Sequence, residues 1–389
     1  MKTYFTIALI LFYSIIFGQD QPIAQIPFTL NDYGLMTITL KVNNSDVSNF
    51  ILDTGSSVTV IDEKLARQLD LSMQEEDAKL TGASGVNNDV KKTQKQHIIL
   101  DDKIELKEIK MYVTDLSYLD EVNGLIGYDI FKEYVTETNF DTKTIYFYKR
   151  KSKPDTKGYT AINFSEPFCT PEIKISLSLP NDESFSGKVL FDTGNVTVPL
   201  IFNSPFVDKH LLLRKFDKLI TDESIGIDAE YKKSTRGVVP FIKIKKFKLS
   251  EIPVRFSNAK QGMSSKEAYM GNLGLEYISK FNFILDYNKK KIYLKPNESF
   301  NDPFNFPLSG IRLEKKEKEI FIRSISKPSV AAKKGLKVGQ QLISINGIEN
   351  KDIQFYYKLL ENEGKEVSIV VKLEDGSLKT VKILLARLI

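Results

Sequence analysis

The chain repeats itself. The segment Phe50-Ile51-Leu52-Asp53-Thr54-Gly55-Ser56-Ser57-Val58-Thr59-Val60 returns as Val189-Leu190-Phe191-Asp192-Thr193-Gly194-Asn195-Val196-Thr197-Val198, with its aspartate 139 positions further on. A second pair follows in the same order. Gly124-Leu125-Ile126-Gly127-Tyr128-Asp129-Ile130-Phe131 matches Gly271-Asn272-Leu273-Gly274-Leu275-Glu276-Tyr277-Ile278. The likeness continues through Asn139–Tyr146 and Asp286–Tyr293, each an apolar run, a polar turn and another apolar run, which predicts a β-hairpin. The period is far too long for a solenoid, so the repeat marks a duplicated lobe. Such a chain must build one unit twice, and Asp192 stands where Asp53 stands.

Within each lobe the pattern is that of strands. Leu35 to Val42 alternates apolar and polar residues, and the 25 Phe, 17 Tyr and many Val and Ile favour pleated structure. A short helix is predicted over Asp62 to Leu69, with Asp62 as cap, and a longer one over Pro205 to Phe216. In lobe 2 the stretch before Val196-Thr197-Val198 reads as one residue shorter than its lobe 1 counterpart. The lobes join in the charged, turn-rich run 149–158. After an Asn-, Pro- and Phe-rich stretch over 296–307 the pattern changes. It continues through Ser309-Gly310-Ile311-Arg312-Leu313, a strand at Ile320-Phe321-Ile322, a helix over Asp352 to Leu360 and two strands joined at Asp375-Gly376. The divisions are 1–18, 19–152, 153–300 and 301–389. The first reads as a signal peptide, with basic Lys2, an apolar stretch from Tyr4 to Phe17 too short for a spanning helix, and Gly18 at the cleavage position. An uncleaved anchor is the alternative. Export to a bacterial periplasm or the exterior is expected, with no stable membrane span in the mature chain.

Elimination narrows the chemistry. One cysteine, Cys169, forbids an intrachain disulfide, and only His97 and His210 are present. There is no H-E-x-x-H, C-x-x-C or G-x-S-x-G, so zinc and serine chemistry have no motif. The net charge of +5 comes from scattered lysines, without the dense patch or module that nucleic-acid binding calls for. Two carboxylates remain. A single Asp-Thr-Gly is a common turn after a strand. Two, each ending an apolar strand and each followed by a glycine-ended strand, point to a pair of carboxyls brought together. Two such groups sharing a proton cannot both ionise, so one stays an acid while the other acts as base.

Residues 20–298 resemble the two-lobed pepsin- and retropepsin-like aspartic peptidases. The triplets Asp53-Thr54-Gly55 and Asp192-Thr193-Gly194 carry the likeness, with Leu125-Ile126-Gly127 and Leu273-Gly274 as the strands that thread each loop. The resemblance implies two homologous β-barrel-like lobes and a water held by catalytic Asp53 and Asp192. It also implies an extended peptide or protein substrate and no metal or organic cofactor. Thr54, Gly55, Ser56, Thr193, Gly194, Asn195, Gly127 and Gly274 are the expected supports of the site. Ser56 carries the hydroxyl that many members place after the glycine to bond the aspartate, and Asn195 does not. A flap covering the substrate would fall at Gly82, Ala83, Ser84 and Gly85, without the tyrosine of pepsins.

Residues from about 305 resemble a bacterial-type PDZ domain, on Ser309-Gly310-Ile311-Arg312-Leu313, the run Ala331-Ala332 to Gly339, and Ile345-Asn346-Gly347. Its family binds a C-terminal peptide as an added strand, here beside Gly310, Ile311 and Leu313. Gln340 stands where the family often has an acid. The whole is expected to be mainly all-β, two aspartic-peptidase lobes followed by an α+β PDZ-like domain, and to act as an endopeptidase. A catalytically inactive peptide-binding pseudopeptidase and an unrelated structural or carbohydrate-binding β-protein are the alternatives.

Overall fold

The computed structural model describes residues 20–75, 79–83, 85–87, 90–119, 121–225 and 231–389; the expected signal peptide, 1–18, and Ser84 of the expected flap lie outside them. Each apolar run ahead of an Asp-Thr-Gly becomes the buried strand of a sheet. In lobe 1 the strand Ser48–Leu52 lies parallel to Gly124–Ile126, register Phe50 to Gly124 and Leu52 to Ile126. In lobe 2 the strand Ser184–Phe191 lies parallel to Gly271–Leu273, register Val189 to Gly271 and Phe191 to Leu273. The threading strand then hands its last carbonyl to the aspartate: Asp53 N–H donates to Ile126 O at 2.9 Å and Asp192 N–H to Leu273 O at 3.0 Å. The same bond, made twice, fixes both aspartates at equivalent places.

A six-stranded sheet joins the lobes. Its two central strands, Tyr134–Asn139 and Phe281–Asp286, pair antiparallel through Thr136 to Leu285 and Thr138 to Phe283. Each is the first strand of one predicted hairpin, continued by Thr144–Lys149 and Lys291–Pro296. Duplication therefore lets one copy add to the other edge to edge, which removes two free sheet edges at once. Phe283, fully buried, packs edge-on against Phe191 at 5.2 Å, tying this sheet to the residue before Asp192. One apolar cluster runs through both lobes.

Local chemistry explains the small helices. Asp62 accepts a hydrogen bond from Lys64 N–H at 3.2 Å and caps the helix Glu63–Gln68, whose Leu65 and Ala66 are buried. The predicted helix over Pro205 to Phe216 is interrupted. An α-helix spans Ser204–Lys209, Leu211 takes a left-handed φ of 49°, and a 3₁₀ turn follows at Leu212–Lys215. The break buries Leu212 while Leu211 and Leu213 stay exposed. The loop after Asp192 also differs from expectation. Ile61 and Phe202 both face the first glycine of the threading strand, Gly124 and Gly271. By this register the lobe 2 loop is two residues longer than its counterpart, and the two Val-Thr-Val triplets are not equivalent.

The C-terminal unit has its own five-stranded sheet, with strands in the order Ile311–Lys316, Glu319–Ile325, Gln341–Ile345, Glu366–Lys372 and Leu378–Leu384, and its own core. The helix Ile353–Leu359 is capped by Asp352. The stretch leading into it is not a loose tether: Phe304 is buried and stacks on Tyr277, and Asn305 N–H donates to Glu276 at 2.7 Å. Thr221 N–H to Lys327 O at 3.0 Å and Arg387 to Glu251 at 3.2 Å add further contacts with lobe 2. Replacing Phe283 by Ala removes the ring that joins the interlobe sheet to Phe191. It should cost about 3–5 kcal/mol of stability, read as a lower urea midpoint with the secondary structure of the C-terminal unit retained.

Candidate active site

The two Thr-Gly turns meet back to back. Thr54 Oγ1 donates to Phe191 O at 2.6 Å and accepts Thr193 N–H at 3.0 Å. Thr193 Oγ1 donates to Leu52 O at 3.0 Å and accepts Thr54 N–H at 3.0 Å. Both threonines are buried, so the four bonds close without water. Each hydroxyl serves as donor and acceptor together, a role that only Ser or Thr can fill in so small a space.

This brace brings the carboxyls face to face. A Cβ placed on Gly55 would fall 2.3 Å from the Asp192 carboxyl carbon, and one on Gly194 would fall 2.5 Å from that of Asp53. Only glycine leaves room for the opposite acid. Gly55 N–H donates to Asp53 Oδ1 at 2.7 Å and Gly194 N–H to Asp192 Oδ1 at 2.8 Å. Gly127 and Gly274 do their work behind the turns, where a Cβ would meet Ser56 O at 2.3 Å and Val198 O at 2.4 Å. The residues after them seal the loops, Tyr128 N–H onto Ser56 O at 2.9 Å and Leu275 N–H onto Asn195 O at 2.7 Å.

Burial at the floor of the cleft, then the charge of Asp192 across from it, push the Asp53 carboxyl well above the ordinary carboxylate range; the Gly55 and Gly194 N–H groups oppose this. The pair is thus built to hold one proton between two acids.

Two supports act differently from expectation. The Ser56 hydroxyl donates to Val58 O at 2.8 Å, two residues along its own loop, instead of to Asp53. Asn195, buried, does not leave Asp192 unsupported but works through a neighbour. Its Nδ2 donates to Asn272 Oδ1 at 3.1 Å, and Asn272 Nδ2 donates to Asp192 Oδ2. Asn272 escaped the sequence reading because its lobe 1 equivalent is Leu125, an apolar position of the same strand. The signal was there as a second polar departure in the same lobe as Asn195.

Of the expected flap, Leu80–Thr81 and Val86–Asn87 form a two-stranded ribbon, closed by Gly82 N–H to Gly85 O at 3.0 Å. Its tip reaches lobe 2. Gly82 O accepts Met263 N–H at 2.9 Å and Ala83 O accepts Ser264 N–H at 2.7 Å. The dyad therefore lies in a cavity of about 1300 Å³ that is lined by both lobes and extends to Gly310, Ile311, Leu313, Ile353 and Tyr357 of the C-terminal unit. There the strand Ile311–Lys316 is the edge of its sheet, opposite the helix Ile353–Leu359. Its groove-facing N–H groups are already held from within, Ile311 N–H by Ser309 Oγ at 3.1 Å and Leu313 N–H by Tyr357 Oη at 2.9 Å. Gln340 accepts Lys337 N–H at 2.9 Å.

Comparison with known proteins agrees with these two regions. Residues 38–130 match the family model for aspartyl proteases, and residues 321–373 match that for PDZ domains. Among solved structures, the crystal structure of an aspartic proteinase from Irpex lacteus is 13% identical, with a TM-score of 0.47, covering 72% of this chain and 99% of that one. No curated protein matches. The chain thus joins a segment of aspartyl-protease likeness, residues 38–130, to a C-terminal PDZ domain matched over 321–373. The matched protease segment holds Asp53; Asp192 lies beyond it and is tied to it by the repeat and the threonine brace.

The raised Asp53 carboxyl carries a sign for stability. The folded chain holds a proton that the unfolded chain releases near the ordinary aspartate value of about 3.9. That contribution is fully present below the unfolded value and is lost as pH rises through the folded one. Urea stability should therefore fall with rising pH across that window, and Asp53→Asn should flatten the fall and leave the variant more stable than wild type at neutral pH.

Proposed function

We propose that this chain is an exported aspartic endopeptidase, in which Asp53 and Asp192 activate a water against the carbonyl of an extended peptide. The observation that carries this reading is the reciprocal closeness of each Thr-Gly turn to the opposite carboxyl, braced by Thr54 and Thr193. In the reaction the ionised carboxyl takes a proton from the water as its oxygen attacks the scissile carbon, and the protonated carboxyl gives its proton to the carbonyl oxygen. Collapse of the gem-diol breaks the C–N bond. The amine leaves with the proton held by the dyad, and a gem-diol hydroxyl gives its own proton to the other carboxylate as the new carbonyl forms, so the dyad returns to its singly protonated state. Acid and base both come from the chain, so the chemistry calls for no added group.

The flap supports a substrate held in extended form. Its ribbon already crosses the cleft, so a peptide that enters must displace the contacts of Gly82 and Ala83 with Met263 and Ser264 or pass beneath them. The PDZ groove, sharing the same cavity, supports binding of a peptide C-terminus beside the strand Ile311–Lys316. The N-terminal segment supports export to a periplasm or the exterior.

Cleavage of an unfolded protein such as casein, followed from acidic to neutral pH, tests the peptidase. Wild type should cut with a bell-shaped profile and keep its activity in EDTA. Asp53→Asn and Asp192→Asn should each lose about a thousandfold or more. A wild type that binds peptides but never cuts them would leave the pseudopeptidase instead. At the PDZ groove, Tyr357→Phe frees Leu313 N–H for a ligand. Affinity for peptides from a C-terminal library, measured by fluorescence polarisation, should rise about fivefold, the worth of one neutral hydrogen bond.

A further inference from the structure

The two halves of the site are not equal, and the difference lies in one amide. Asn272 and Leu125 occupy the same place in the repeat, paired with Leu190 and Ile51 on one side and with Ile201 and Val60 on the other. Leu125 has no polar atom to offer Asp53. Asn272 donates to Asp192 Oδ2, so with Gly194 N–H on Oδ1 both oxygens of Asp192 face N–H donors.

The direction of that bond is fixed from a distance. Thr197 N–H donates to Asn195 Oδ1 at 3.2 Å, and a backbone N–H cannot accept. The Thr197 hydroxyl, at 2.9 Å, joins it on the same oxygen. Asn195 must therefore turn its NH₂ towards Asn272, whose oxygen receives it at 3.1 Å and whose own NH₂ is left to face the acid. The two extra residues of the lobe 2 loop allow this relay, because they let Asn195 and Thr197 fold in behind the threading strand. Asn195 and Asn272 are both buried, so water does not compete for these bonds.

We propose that Asn272, oriented by Asn195 and Thr197, is the positioning residue that keeps Asp192 as the ionised, water-activating carboxylate and leaves the shared proton on Asp53. The inference rests on the peptidase reading for its meaning in catalysis, but not for its physical content. A donor on both oxygens of Asp192 favours its charged form, since either oxygen would have to give up an acceptor role to carry the proton. The other charged or titratable groups nearby do not reverse this. Asp53 lies opposite. Tyr269 and Tyr287, whose hydroxyls donate to Met263 O and Cys169 O, are pushed further towards their neutral forms, mainly by burial. The Arg236 guanidinium donates to Thr197 O at 3.0 Å, placing positive charge at the far end of the relay.

Asn272→Leu installs the lobe 1 residue and should draw the two lobes towards equivalence. A bond to a charged acceptor, once lost, should raise the acidic limb of the kcat/KM profile by about one pH unit or more. At the wild-type optimum kcat should fall about tenfold, with KM little changed. Asn272→Asp, the same shape without the donor, should shift the limb further, and it keeps the test open if the leucine variant does not fold. Carboxyl carbon NMR of the chain labelled at aspartate, without substrate, gives the second readout, with assignments from Asp53→Asn and Asp192→Asn. In wild type the Asp192 signal should ionise first and Asp53 should hold its proton to higher pH, and Asn272→Leu should bring the two together. An unmoved acidic limb with unmoved carboxyl titrations, or an Asp192 that protonates before Asp53 as pH falls, overturns the proposal. Failure of wild type to cut overturns the peptidase reading alone, since the carboxyl titration still decides what Asn272 does.

Discussion

The brace of Thr54 and Thr193 is the contact on which the rest depends. Two sheets could pair through their outer hairpins and still leave the aspartates several ångströms apart. Four buried hydrogen bonds, each linking a hydroxyl of one lobe to the backbone of the other, set the distance between the turns. They also turn a duplicated sequence into a single site, because neither threonine can be satisfied without the opposite copy. A buried hydroxyl or N–H left without a partner costs about 1–3 kcal/mol, so separating the turns exposes several such debts together. Closeness then couples the two acids. Two acids at the floor of a cleft share one proton because a second charge cannot be accommodated there.

The pseudo-symmetry is kept where it positions the acids and abandoned where it would make them equal. Equivalent bonds hold the backbone of Asp53 and Asp192, Ile126 O for one and Leu273 O for the other. The side chains around them diverge. Lobe 1 uses Ser56 to brace its own loop at Val58 and places Leu125 beneath the strand. Lobe 2 lengthens the loop and runs Thr197, Asn195 and Asn272 in series to Asp192. A perfectly symmetric pair would share its proton evenly, as acid and base by turns. The proposed peptidase reaction, which needs one of each at the outset, would gain from having the assignment built in.

Much of this was legible because duplication makes a sequence its own comparison. Asp53-Thr54-Gly55 and Asp192-Thr193-Gly194 could be matched without a second protein, and the glycine-ended strands confirmed their order. The lobe architecture followed from the apolar runs, and the PDZ domain from its glycine spacing. What escaped were facts of register and of partner choice. Val196-Thr197-Val198 resembles Val58-Thr59-Val60 in letters, yet strand pairing places Val60 level with Ile201, not with Val198. Asn272 reads as drift in an apolar slot until the sheet puts its amide against Asp192. The helix expected to run on to Phe216 stops because Leu212 has a place in the core that an unbroken helix would not reach. Tyr357 is one aromatic among several on its helix, and only the facing strand gives its hydroxyl a partner.

The PDZ domain and the candidate active site are also linked by what lies between them. Glu276, two residues past Gly274, accepts the N–H of Asn305, and Tyr277 carries the stacked ring of Phe304. The chain leading into the PDZ domain is therefore packed on the short helix Leu275–Ile278, and that helix is fastened by Leu275 N–H to Asn195 O. Burial holds the Glu276 carboxyl above its ordinary range, which makes its one backbone bond more valuable to the packed state than it would be in water. A displacement of the PDZ domain that pulled Asn305 away would take one donor from this half-buried acid, beside the loop that holds Asn195 against Asn272. A peptide held in the PDZ groove would lie in the same cavity as the dyad, beside the lobes that line it.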